Sequence, residues 1–163
     1  FNSARVQARD LQGRDAADNY TDALRLWMAH HNGQMPQGGS VAAGTTSTPD
    51  DVVGCTGGGT SGWANGNYTS TNYPFTKGLA LQAAGYLPAD FFDNLPPTTK
   101  YNDNTSNFMI YGPISGKWYL FYNLEKPTAE EVASYDALTA IYPHATTLRD
   151  SYIMNAYQEI TAF

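Results

Sequence analysis

Residues 1–36 read FNSARVQARDLQGRDAADNYTDALRLWMAHHNGQMP, and this stretch decides the fold. Tyr20, Leu24, Trp27, Met28 and His31 fall at i, i+4, i+7, i+8 and i+11, which is one face of a helix. No proline and a single glycine, Gly13, lie between Asn2 and Asn32. Asn32-Gly33 then supplies a left-handed stop, and Pro36 prevents the helix from resuming. About 30 helical residues span roughly 45 Å, whereas a compact domain of this length is about 40 Å across. The pattern therefore predicts a spine as long as the domain is wide.

The two halves of that spine differ. The second carries the apolar stripe. Residues 1–15 have only Phe1, Val6 and Leu11 as large apolar side chains, among Arg5, Arg9, Asp10, Arg14 and Asp15. A polar helix end has little to hold it unless it packs on something. It can fray, continue into a segment upstream of Phe1, or pack against another subunit. We expect an upstream segment, and we take Arg5, Arg9, Asp10, Arg14 and Asp15 as subunit-contact candidates. In that reading Arg5, Arg9 and Arg14 of one molecule face Asp10, Asp15 and Asp18 of its neighbour, each pair contributing little if exposed.

The rest of the chain reads as one domain built on the spine of residues 1–35, since 163 residues suffice for a single core. Residues 37–76 are rich in Gly, Ser, Thr and Asn without periodicity, which predicts a long variable surface loop. Residues 76–85 read as a short helix with Leu79, Ala80, Ala83 and Ala84 on one face and Gly85 at its end. Phe91, Phe92 and Leu95 are placed to plug the base of a sheet. Residues 108–111 and 117–124 read as strands joined across a turn at 112–116. On the second strand Trp118, Leu120, Tyr122 and Leu124 point toward the spine, and Lys117, Tyr119, Phe121 and Asn123 point away. A third strand is expected in 98–103 or in the C-terminal segment.

Thr128-Ala129-Glu130-Glu131 is a capping box that opens a helix running to Ile141. Val132, Tyr135, Leu138 and Ile141 share a face of it, and Pro143 stops it. In residues 146–163, Leu148, Tyr152, Ala156 and Ile160 fit a helix, while Tyr152-Ile153-Met154 also fits a strand; we read helix. The expected class is α+β: a long N-terminal helix packed on a small antiparallel sheet within residues 77–127, followed by a C-terminal helical segment over 128–163.

Three separated blocks carry a resemblance. Asn2-Ser3-Ala4-Arg5, Ala8-Arg9-Asp10, residues 23–27 and Asn32-Gly33-Gln34-Met35-Pro36 form the first. Residues 79–88 and 118–125 form the others. In this order they are similar to type IV pilin-like proteins, the family of type IV pilins and of the pseudopilins of type II secretion and competence systems. The resemblance implies a pilin-like fold and an apolar membrane helix upstream of Phe1. It further implies a structural subunit of an extracellular pilus or pseudopilus fibre. Its implied partners are like subunits, minor pilins and an inner-membrane assembly machinery. The implied location is the cell surface, with membrane anchoring before assembly. Many pilins close a C-terminal loop with a cysteine pair; this chain has only Cys55 and cannot.

Composition narrows the alternatives. A net charge of −6 gives no basic footprint for phosphates, so nucleic acid is not expected as a partner. Low charge content with 12 tyrosines fits an extracellular surface, and equally a sticky face for subunits or glycans. The alternative function is thus an extracellular carbohydrate-binding or adhesive module, with Trp63, Tyr68, Tyr73 or Trp118 stacking on a ligand. A structural subunit predicts instead that Trp118 is buried.

No enzyme is expected. Gly59-Thr60-Ser61-Gly62 lacks the spacing of a nucleophile elbow. In the Gly112 to Lys117 stretch, Trp118 stands where a phosphate loop needs Ser or Thr. His30 and His31 project about 100° apart on a helix and cannot share a metal; His31 reads as a satisfied core histidine. No cofactor is expected, calcium at residues 101–107 being the weaker reading against a polar turn, because the alternating acidic pattern is missing. Asn19, Asn67 and Asn104 fit the N-glycosylation triplet, with Asn19 on the helix.

Overall fold

A computed structural model describes residues 2–36, 62–63, 77–96 and 108–161, with the backbone alone at 62–63. The architecture is α+β: a long N-terminal helix, a small antiparallel sheet and two C-terminal helices. Helix α1 spans Asn2–His30, 29 residues, and ends where Asn32 and Gly33 both take positive φ, 55° and 77°. Strand β1 is the pair Gly62–Trp63 and α2 is Lys77–Ala83. Strands β2 (Phe108–Ile114) and β3 (Lys117–Tyr122) make a hairpin; α3 (Ala129–Ile141), α4 (His144–Tyr152) and β4 (Ala156–Ile160) follow. The sheet runs β1-β2-β3-β4, antiparallel throughout.

The hairpin turn is tighter than the sequence suggests. It consists of Ser115 and Gly116, both at positive φ (50° and 80°), the geometry that matches strand twist in a two-residue turn. Strand β2 therefore continues to Ile114, and its register shifts between Tyr111 and Ile114, where Pro113 has no N–H for the ladder.

Side-chain alternation along β3 sorts two cores onto the two faces of the sheet. Leu120 and Tyr122, with Ile110 of β2 and Leu124 beyond β3, meet Tyr20, Leu24, Trp27 and Met28 of α1. Tyr119 and Phe121 meet Tyr135 and Leu138 of α3 and Leu148 of α4. Trp118 packs against the first core but is only half-buried, short of the full burial expected. Phe91 and Phe92 stand edge-on to Tyr20 at 6.0 and 5.9 Å, so they cover the middle of α1.

Four readings of the sequence are corrected. Residues 156–160 are strand, not helix: the third main strand comes from the C-terminal segment and pairs with β3 in register Leu120↔Gln158. Asn155 sets this up, its side-chain amide exchanging two 2.8 Å hydrogen bonds with the backbone of Leu124. The alternative strand at 98–103 lies outside the described residues. Helix α4 ends at Tyr152, and Ile153 caps it in the left-handed region, φ 58°. On α3 only Tyr135 and Leu138 of the predicted face are buried, because the sheet meets a narrow stripe; Val132 and Ile141 are 44% and 73% exposed. On α2 the buried residues are Lys77, Gly78, Ala80 and Leu81, with Ala83 and Ala84 outside. Lys77 turns that side inward, donating from its buried Nζ to the carbonyl of Pro36 at 2.8 Å.

Candidate assembly face on the leading half of the long helix

No residue of α1 before Asp10 is buried. The first turns run along the surface of the body, with Arg5, Gln7 and Ala8 exposed and Val6 half-buried. Leu11 is 58% exposed, an apolar side chain that its own fold does not cover. Asp15 is exposed as well. Farther along, a groove of about 350 Å³ between α1 and the turn after α2 is lined by Ala23, Leu26, Tyr86, Leu87, Pro88 and Phe91.

From Arg9 onward the helix is docked by charge. The Arg9 guanidinium donates to both oxygens of Glu125, at 2.6 and 2.9 Å. Asp10 is 3% exposed, and its carboxylate accepts the backbone N–H groups of Glu125 (2.8 Å) and Lys126 (2.9 Å). Arg14 donates to both oxygens of Glu131, at 3.0 and 2.7 Å. Glu131 is the residue that closes the capping box of α3, accepting from the N–H of Thr128 at 2.8 Å while the Thr128 hydroxyl accepts from its N–H at 3.1 Å. The Arg14 hydrogen bonds hold the Glu131 carboxyl below its ordinary value, and the same contact raises Arg14. Glu125 likewise raises Arg9.

These contacts correct the expectation of inter-subunit pairs for Arg9, Asp10 and Arg14. Their partners lie more than a hundred residues away in the same chain, and Asp10 is inside. Arg5 and Asp15 remain on the exposed surface. Asp18, the third acid of the expected pairs, accepts from Gln158 of β4 at 2.5 Å, and Thr21 donates to the same side chain at 2.8 Å. Glu131 was visible in the sequence only as a capping residue; no local signal marks Glu125 as a partner for Arg9.

Other sequence candidates resolve into packing. His31 stacks on Trp27, rings 3.9 Å apart and 9° from parallel, with Nδ1 2.8 Å from the Trp27 carbonyl oxygen. His30 lies 2.7 Å from the Tyr86 hydroxyl. Burial pushes the Tyr122 phenol up to about 12, so it stays neutral in the core. The loop with Cys55, the polar run 101–107, Asn67, Asn104, Tyr68 and Tyr73 lie outside the described residues, as does the Trp63 side chain. Among the described residues no group of three or more His, Cys, Asp or Glu side chains could hold a metal, and no helix is long and apolar enough to cross a membrane. Comparison with protein-family models, with curated proteins and with solved structures returns no match.

Proposed function

We propose that this chain is a pilin-like structural subunit of an extracellular type IV pilus or pseudopilus fibre, assembling through its N-terminal helix. One observation carries the reading. Helix α1 has a second half keyed to its own sheet and a first half with no buried residue before Asp10. A folded domain gains little from about two helical turns that bury nothing, unless those turns have a partner elsewhere. The basic Arg5 lies on these turns, and the exposed Leu11 follows them on the docked turn after Asp10.

The partners in this reading are like subunits and the membrane machinery that assembles them, with an apolar segment upstream of Phe1 as the anchor. Contact between the leading helix of one copy and a different surface of the next is heterologous, and heterologous contacts propagate into filaments unless they close into rings. The carbohydrate-binding or adhesive alternative needs exposed aromatics; among the described residues no Phe, Tyr or Trp is exposed.

The test is to express the protein from its gene with whatever precedes Phe1, and to look for fibres by electron microscopy. Leu11→Glu is the discriminating variant, because its exposure leaves the fold within about 0.5 kcal/mol of the original. Fibres from the parent and none from folded Leu11→Glu are expected. A folded parent that stays monomeric in its native host, or a variant that assembles as well as the parent, overturns the reading.

A further inference from the structure

Three charged side chains in the leading half of α1 engage one short stretch, residues 125–131, which links β3 to the first turn of α3. Arg9 forks onto Glu125, Asp10 holds two consecutive backbone N–H groups, and Arg14 forks onto Glu131. The apolar contribution at these turns is small: between Asp10 and Ala16 the only other buried residue of α1 is Gly13, whose neighbour is Leu124. Paired guanidinium–carboxylate forks with a buried carboxylate on two backbone donors are the strong class of polar contact. In these three contacts every acceptor is a carboxylate, while Gln12 of the same turns donates to the carbonyl of Asn94.

We infer that the junction is an acid-releasable latch. At neutral pH it holds the leading half of α1 against the link and the start of α3; acidification frees that half while the apolar half stays on the sheet. The charged and titratable groups facing it are Arg9, Asp10, Arg14 and Asp18 on α1, Glu125 and Lys126 in the link, Glu130 and Glu131 on α3, and Tyr122 on β3. Both arginines stay charged across the acid range, so nothing compensates for the carboxylates. Glu131 sits below its ordinary 4.5 in the folded chain. Its contribution is therefore complete above that ordinary value and is lost as pH falls through the lower, folded one. The Glu131 part of the release therefore lies below that ordinary value. The latch does not depend on fibre assembly.

Hydrogen exchange of the full chain, corrected for intrinsic rates, reads it directly. Between about pH 7 and about pH 3, protection of residues 5–15 falls roughly tenfold or more, while residues 20–28 keep theirs. Protection of 5–15 that is constant over this range, or lost only together with 20–28, overturns the latch. Neither result requires a variant. A double variant, Arg9→Gln with Arg14→Gln, sharpens it: with near-ultraviolet circular dichroism showing the core intact, residues 5–15 are already open at neutral pH and the acid step shrinks. An undiminished acid step in that variant also overturns the proposal.

Discussion

The two halves of α1 are one continuous helix held by two different kinds of force. Residues 20–28 bury Tyr20, Leu24, Trp27 and Met28 against the sheet and the Phe91–Phe92 pair. Residues 9–14 bury almost no hydrocarbon and are held by two arginine forks, one inward carboxylate and the Gln12 amide on the carbonyl of Asn94. Apolar burial is non-directional and insensitive to pH; charge-assisted bonds are directional, titrate and are screened by salt. The trailing half can therefore serve as a fixed foundation, and the leading half is the part whose attachment conditions can change.

The largest expected effect tests the foundation. Trp27→Ala removes a fully buried ring and should cost about 3–5 kcal/mol in urea denaturation, read as a lower midpoint at unchanged slope. Asp10→Ala strips the acceptor from two backbone N–H groups inside the junction and should cost about 2–3 kcal/mol. If the second loss equals the first, the two halves are not held differently and the contrast fails.

Gly13→Ala should go the other way. A Cβ there meets Leu124 Cδ2 at 3.5 Å, an ordinary contact, and alanine is the better helix former, so a gain of about 0.5–1 kcal/mol is expected. A loss would mean that the leading half packs more tightly on Leu124 than that distance allows. Smallest is Arg14→Gln at neutral pH. Its pair with Glu131 is about a quarter exposed on each side, and such pairs contribute at most about 1 kcal/mol. The same variant should raise the pH at which Glu131 titrates, since the hydrogen bond that lowers it is gone; a carboxyl chemical-shift titration decides this.

The sorting of β3 side chains onto two faces was legible because its signal is local, whereas the second core under α3 and α4 was not read from the sequence. The strand period sends Leu120 and Tyr122 to one side of β3 and Tyr119 and Phe121 to the other. The capping box Thr128–Glu131 places the start of α3 correctly because both of its hydrogen bonds close within one turn. Residues 156–160 were misread for the opposite reason. A short run such as Ala-Tyr-Gln-Glu-Ile satisfies either period, and its state is settled by β3 and by the Asn155 amide that aligns it. The candidate site was legible as a two-faced helix but not as a junction, since which acid each arginine meets depends on where the C-terminal half of the chain folds back.

By itself the sequence determined that a long helix exists, where it stops, which of its residues go inside at the trailing end, and that an aromatic hairpin covers it. These follow from periodicity and stop signals carried by neighbouring residues. Only the tertiary structure decided that the leading end is docked from Arg9 onward, that Asp10 is interior, and that Arg9 and Arg14 are answered within the chain. A charge names its partner's sign and not its address, and contacts across more than a hundred residues are chosen by the packing of everything between them.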